Sequence, residues 1–437
     1  MNSLGLAKNM YFLGIGGVGM SGLAGWCHAH KHNVGGYDHN DNTFTLKLKK
    51  SGIRIQHDVS TSKIPSDFLN NEDTYIIYTP AIKKDHILYR FFNDANFTIL
   101  KRSELLQRIS LAYKVVAISG THGKTTISIM LSHLLKNAGL SPSAFFGGMS
   151  LNYDSNFLIG NSDYMIIEAD EYDQSFLHLK PVISLITSID RDHIDTYPSV
   201  EAMMESYYHF YVNTQDMLFI TRHVSKKFHD YLKDHGNGSS SIRELSDLDC
   251  KDSYVKSIKN MCEHNIENAI MATAIAKYIG LSDLQIQTGF QNYRGVKRRF
   301  EYHVVSKDLI LIDDYAHHPE ELKVLINSIR KRYLNRELFL IFQPHLFSRT
   351  QDLENEFCDI LSSVDKLALL DIFPAREKPI AGVSSKILLS KINLHHKWHV
   401  NFTSILDLLK VEKPSLIVTA GAGDIYKLVP VIKSILA

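Results

Sequence analysis

Val115-Val116-Ala117-Ile118-Ser119-Gly120-Thr121-His122-Gly123-Lys124-Thr125-Thr126 decides how the rest of this 437-residue chain is read. Four apolar, largely β-favouring residues run into a loop bounded by glycines, and the helical run Ile127 to Lys136 follows. In such a strand–loop–helix frame, backbone N–H groups wrap phosphates and the helix N-terminus adds positive potential. Lys124 then brings a cation to the β- and γ-phosphates, and the Thr125 hydroxyl can ligate magnesium. The general pattern asks for a glycine where this chain has Ile118; Gly120 sits closer in and gives a shorter form. Gly120, Thr121, His122, Gly123, Lys124, Thr125 and Thr126 are therefore candidate ATP contacts.

Downstream, the apolar run Tyr164 to Ile167 ends in Glu168-Ala169-Asp170-Glu171. An acid at a strand end after a phosphate loop suits a magnesium ion (Mg2+), which prefers oxygen ligands and is usually held by one or two carboxylates plus phosphates. Glu168 is the expected ligand, with Asp170 and Glu171 open to a solvated role. Asp190-Arg191-Asp192-His193-Ile194-Asp195 follows the run Val182 to Thr187, and His193 within that acidic cluster is a second candidate metal ligand. Two ions could then clamp the transferred phosphate and its acceptor.

Upstream, Gly14-Ile15-Gly16-Gly17-Val18-Gly19 follows the strand-like run beginning at Asn9, and Asp38 closes the next one, Asn33 to Tyr37. Taken alone, Gly14, Gly16, Gly17, Gly19 and Asp38 read as a dinucleotide site with a ribose-binding acid, as in a nicotinamide-dependent dehydrogenase. The motif equally holds any diphosphate on a helix N-terminus, and a separate ATP loop favours a nucleotide-sugar diphosphate. Thr79 ends a third run, Thr74 to Tyr78, at the same edge and joins the expected substrate contacts.

Strands alternate with helical stretches along the whole chain, which argues for parallel sheets with crossover helices. Further strands are expected at Leu218 to Thr221, Leu309 to Ile312, Leu338 to Phe342, Lys366 to Leu370 and Leu416 to Thr419. Helices are expected over Val200 to Tyr211 and His264 to Ile279, with a polar loop over Asp234 to Ser241. Hydrophobic residues make up 44% and the formal net charge is +1, so a normal core is available and the basic excess of a nucleic-acid binder is absent. Four scattered cysteines give no disulfide framework or zinc pair. Without a signal-peptide plan or a run of about 20 apolar residues, a soluble, cytoplasmic protein with no membrane partner is expected. Monomer and homodimer are both compatible with the sequence.

These motifs, in this order, resemble the ATP-dependent Mur ligases of peptidoglycan synthesis, and within them the alanine-adding branch. The resemblance spans essentially the whole chain. Besides the loops above it rests on His264-Asn265-Ile266-Glu267-Asn268-Ala269, Arg298-Arg299-Phe300, Asp313-Asp314-Tyr315-Ala316-His317-His318-Pro319, Phe342-Gln343-Pro344-His345 with Ser348-Arg349-Thr350, and Gly421-Ala422-Gly423-Asp424-Ile425.

The resemblance implies an α/β protein of three domains: a Rossmann-like N-terminal domain over 1–112 for the UDP-sugar, a central P-loop ATPase-like domain over 113–298, and a C-terminal Rossmann-like α/β domain over 299–437 for the amino acid. It implies that ATP phosphorylates the lactyl carboxylate of UDP-N-acetylmuramate and that the amine of L-alanine attacks the acyl-phosphate. Lys124, His122, Glu168 and His193 would carry that chemistry, with His122 orienting the carboxylate and Thr125, Glu168 and His193 on the metals. His264 and Asn268 would contact the adenine side, and Arg299 and Asp314 the nucleotide. Arg349, with His345 and His318, would bind the alanine carboxylate. Two positions depart from the family pattern: Leu346 stands where many members have arginine, and Ser188 where asparagine is usual. A ligase that adds a preformed tripeptide to the same acceptor, a folylpolyglutamate-type ligase and a nucleotide-binding regulatory ATPase are the other readings of the same motifs.

Overall fold

A computed structural model describes residues 5–172, 174–189, 197, 199–246, 263–375 and 377–436. They form three α/β sheets. The first contains β1 (Asn9–Leu13), β2 (Asn33–Tyr37), β3 (Arg54–Gln56), β4 (Thr74–Tyr78) and β5 (Thr98–Lys101), all parallel in the order β3-β2-β1-β4-β5. Central β1 reads Asn-Met-Tyr-Phe-Leu and is buried on both faces. Pleating sends Met10 and Phe12 into one core and Tyr11 and Leu13 into another.

The second sheet contains β6 (Lys114–Ser119), β7 (Ser143–Ser150), β8 (Ser155–Leu158), β9 (Tyr164–Glu168), β10 (Ile183–Ile186), β11 (Met217–Ile220) and β12 (Ser241–Glu244). Their order is β12-β11-β10-β6-β9-β7-β8, and among them only the β7–β8 pair is antiparallel. The third contains β13 (Glu301–Val305), β14 (Ile310–Asp314), β15 (Phe339–Phe342), β16 (Lys366–Leu369), β17 (Lys397–His399) and β18 (Leu416–Ala420), ordered β13-β14-β18-β15-β16-β17 with β13 antiparallel at the edge. Here too the pleat divides the strands: Ile310, Ile312, Leu340 and Phe342 pack to one side, Leu311, Phe339 and Ile341 to the other.

The chain divides into two compact units, the first two sheets in one and residues 295–437 in the other. In the first unit one continuous apolar core runs from Met10 and Trp26 through Val115 and Ile167 to Phe228, beside the separate cluster around Tyr11 and Phe92. The β7–β8 hairpin seats directly on the helix Val18–Ala29. Asn156 Nδ2 donates to Val18 O (2.6 Å) and Ser21 Oγ (3.0 Å). The Phe157 ring occupies the space beside Gly25, where a Cβ would lie 2.5 Å from it. Among the described residues no helix is long and apolar enough to cross a membrane.

Most expected elements fall within a residue or two of their observed ends. The Asp234–Ser241 loop is shorter than expected, because the helix Arg222–His235 continues until Gly236 stops it at φ 84° and β12 begins at Ser241. The phosphate-loop helix starts at Lys124 rather than Ile127.

Candidate functional site

Each sheet places a loop at the carboxyl ends of its central strands, where open α/β folds bind ligands. After β6 the chain turns through Gly120 (φ 116°) and Gly123 (φ 81°), conformations that residues with a Cβ rarely adopt. At Gly120 a side chain would also collide with Thr187. The loop is strapped to the end of β10: Thr121 N–H donates to Ser188 O (3.0 Å), His122 N–H to Ser188 Oγ (3.1 Å), and the Thr187 hydroxyl to His122 O (2.6 Å). Ser188, a departure from the family pattern, thus holds the loop with its own hydroxyl.

Helix Lys124–Asn137 starts directly after Gly123, so its first amides face the loop without intrahelical partners. The Thr125 hydroxyl donates to Glu168 Oε1 (2.9 Å), and Gly147 N–H donates to Glu168 Oε2 (2.6 Å). Glu168 therefore sits where the sequence placed it, against the threonine. Desolvation raises its pKa above the ordinary carboxylate range, opposed by the Gly147 amide, Lys124 and Thr125. Asn268 lies against the loop from the helix Glu263–Ile279; a Cβ on Gly123 would stand 2.5 Å from its Oδ1. Thr126 is buried beneath. His193 and the side chain of His264 lie outside the described residues.

Of the two acids left open to a solvated role, Glu171 is buried: its side chain is 1% exposed and its Oε1 takes a hydrogen bond from Lys124 Nζ at 2.8 Å. Lys124 also donates to Gly120 O (2.6 Å). Burial works against the charged ammonium, but Glu171 and then Asp170 outweigh it, and the pKa of Lys124 stands above its ordinary value.

The first glycine loop is closed by its own residues. Gly14 and Ile15 N–H donate to Tyr37 O, and Gly16 N–H donates to Asp38 Oδ2 (2.8 Å). One oxygen of Asp38 thus helps to shape the loop. Thr79 packs on Gly14, whose φ is 83°. Sequence reasoning missed Arg102. Its guanidinium lies over Gly19 in the first turn of the helix, so close that a Cβ there would be 2.9 Å from Nη1. Nothing local to the motif signals it, since Arg102 arrives from the far end of β5.

In the second unit Asp314 accepts from Phe300 N–H (2.7 Å) and Ala316 N–H (2.8 Å), one on each oxygen. Burial pushes its carboxyl up to about 6. Arg299 lies over Tyr315 and 3.8 Å from Glu321. His318 caps the helix Pro319–Arg332. Its neighbour His317 is the histidine that meets His345, ring centroids 5.8 Å apart, with His345 stacked on Phe373. Burial, then His317 and Arg349, lower the pKa of His345 to about 4, so its ring is neutral near pH 7. Arg349 lies on the short helix Phe347–Asp352, whose Ser348 is held by Glu377 through N–H (3.0 Å) and hydroxyl (2.5 Å). Leu346, just before that helix, has φ 71°. For a bulky residue such a conformation costs on the order of 1–3 kcal/mol. A separate cluster of Glu301, His303 and Asp313 is answered from within, Arg298 Nε lying 3.2 Å from one Asp313 oxygen and Thr419 Oγ1 2.6 Å from the other.

The chain matches three domain families in succession: "Mur ligase family, catalytic domain" over 9–114, "Mur ligase middle domain" over 118–276 and "Mur ligase, glutamate ligase domain" over 298–423. A UDP-N-acetylmuramate–L-alanine ligase of Christiangramia forsetii is 38% identical, the match covering 100% of this chain and 99% of that protein. One of Porphyromonas gingivalis is 38% identical, over 98% of this chain and 99% of that protein. The crystal structure of a UDP-N-acetylmuramate–alanine ligase from Thermotoga maritima shares the fold with a TM-score of 0.79 at 21% identity, covering 98% of each chain. With three successive domain matches and full-length relatives at this identity, the chain belongs to the Mur ligase family.

Proposed function

We propose that this chain is an ATP-dependent ligase that joins L-alanine to the lactyl carboxylate of UDP-N-acetylmuramate in peptidoglycan precursor synthesis. The observation that carries this reading is full-length similarity to relatives bearing that name. In this reading 1–112 would bind the UDP-sugar, 113–298 ATP and 299–437 the amino acid, and the enzyme would work in the cytoplasm, serving cell-wall biogenesis, cell shape and division.

The carboxylate is a poor electrophile. An oxygen of it attacks the γ-phosphorus of ATP, giving an acyl-phosphate and ADP. The alanine nitrogen, having lost one proton to become the free amine, then adds to the acyl carbon, and the tetrahedral intermediate expels phosphate as the nitrogen sheds a second proton and the amide forms. Such chemistry asks the protein for positioning and charge neutralisation more than for a nucleophile. Lys124 and the first amides of its helix bear on the phosphates, and His122 is placed to orient the carboxylate. Arg102 and the Gly14–Gly19 loop receive the sugar diphosphate. Arg349 with His345 and His317 receives the amino acid, and His345, neutral near pH 7, adds no charge to oppose its ammonium. The Thr125 hydroxyl and the Glu168 carboxylate, 2.9 Å apart, are a hard-oxygen pair that fits magnesium. When bound there, magnesium neutralises developing charge on the transferred phosphoryl group.

Phosphate release is the test. Purified protein with ATP, magnesium and UDP-N-acetylmuramate should release phosphate only when L-alanine is also present. Release that needs neither acceptor nor amine overturns the reading, and release driven by a tripeptide in place of L-alanine assigns the recycling ligase instead.

A further inference from the structure

We propose that Glu171 is a positioning carboxylate that stands in for the terminal phosphate on Lys124 and so sets how tightly the loop takes a nucleoside triphosphate. This rests on the reading of Gly120–Thr126 as the nucleotide site. An ammonium group has three N–H donors. Those of Lys124 are directed to Gly120 O (2.6 Å), Thr121 O (3.5 Å) and Glu171 Oε1 (2.8 Å). A phosphate oxygen reaches Nζ only by displacing one of these acceptors. Gly120 and Thr121 belong to the loop and are fixed with it, through Thr121 N–H on Ser188 O. Glu171 is the charged competitor.

That carboxylate is held where it is. The Glu171 carbonyl accepts the Tyr197 hydroxyl (2.8 Å) and Gln174 N–H (3.1 Å). The preceding carbonyl, of Asp170, accepts the Ser175 hydroxyl (3.1 Å). With a side chain 1% exposed and a backbone pinned on both sides, Glu171 does not recede; the longer, more flexible lysine turns to the phosphate. The carboxylate then faces the polyphosphate from below, opposing its binding and keeping the pair poised to re-form when the phosphate leaves. In the empty loop the same pair keeps Lys124 extended along the floor.

Glu171→Gln preserves shape and the oxygen that accepts from Lys124 but removes the charge. Calorimetry with ATP and magnesium chloride should give a Kd about tenfold tighter than the unaltered protein, a difference equivalent to about 1.4 kcal/mol. In the coupled assay KM for ATP should fall in parallel, with KM for UDP-N-acetylmuramate unchanged, a split that a merely structural role would not produce. Glu171→Asp, which keeps the charge but withdraws it by one methylene, should lie between the two and decides the matter if the glutamine variant is not recovered folded. An unchanged or weakened ATP Kd in the folded variants overturns the proposal. The double variant Lys124→Ala/Glu171→Gln separates this from the underlying site. ATP bound as tightly by the double as by Glu171→Gln refutes the loop as nucleotide site. ATP lost by the double while Glu171→Gln matches the unaltered protein refutes only the role of Glu171.

Discussion

Gly147→Ala offers a perturbation aimed at one atom pair. Gly147 is exposed, on β7, with no positive φ to forbid a side chain. Its N–H holds Glu168 Oε2 at 2.6 Å. An added Cβ would stand 2.5 Å from Glu168 Oε1 and 2.8 Å from its Cδ and Oε2, whereas ordinary contact begins at 3.4 Å. The carboxylate must retreat by the 0.9 Å between 2.5 and 3.4 Å, carrying it out of register with Thr125. Misplacement of about 1 Å in a positioned group costs roughly 10²-fold in rate. Because residue 147 faces solvent, global stability should move by no more than about 0.5 kcal/mol. The assay is phosphate release at saturating UDP-N-acetylmuramate and L-alanine, titrating ATP and magnesium, beside a urea denaturation curve. A kcat/KM for ATP within about threefold of the unaltered enzyme, with the fold intact, would show that Glu168 does not act from this position.

Two further perturbations follow from other parts of the chain. Arg102→Ala should raise KM for UDP-N-acetylmuramate about tenfold, the worth of one charge-assisted contact, and leave KM for ATP alone; equal changes in both would refute a diphosphate role. Asp314, whose carboxyl is raised from 3.8 to about 6, binds its proton more tightly folded than unfolded. It contributes no penalty below about pH 4 and its full penalty, about 3 kcal/mol, above about pH 6, so stability falls as pH rises through that window. The urea midpoint of Asp314→Asn should lack this fall, and parallel pH profiles for the two proteins would count against it.

The loops were legible because their residues act where they stand. Gly120, Gly123 and Gly14 are demanded by backbone angles, and Glu168 is carried to the loop by the strand it ends. Residues that reach a site across the fold left no such trace. The role of Glu171 stayed open because burial of an acid three residues past a strand depends on Lys124 and Tyr197, which come from other elements. Arg102 opens the helix after β5 and Gly147 lies within β7, and neither stretch carries a motif. His318 was named from the motif, while its neighbour His317, which faces His345, gave no separate signal because adjacent histidines are indistinguishable until the helix start is fixed. Asp38 belonged to a recognisable pattern, but which group its carboxylate accepts from is a matter of loop curvature.

The seating of Phe157 beside Gly25 has a consequence for which acceptors fit. The helix that carries the first glycine loop and the hairpin that carries Gly147 are bolted together at that contact and at Asn156. The span between the first glycine loop, the proposed cradle for a sugar diphosphate, and the carboxylate beside the phosphate loop is therefore a property of packing. It acts as a ruler: a molecule gripped at its diphosphate end offers to the phosphate only whatever group lies one set length away. On the proposed function, changing the length of acceptor would require remodelling the contact between Gly25 and Phe157.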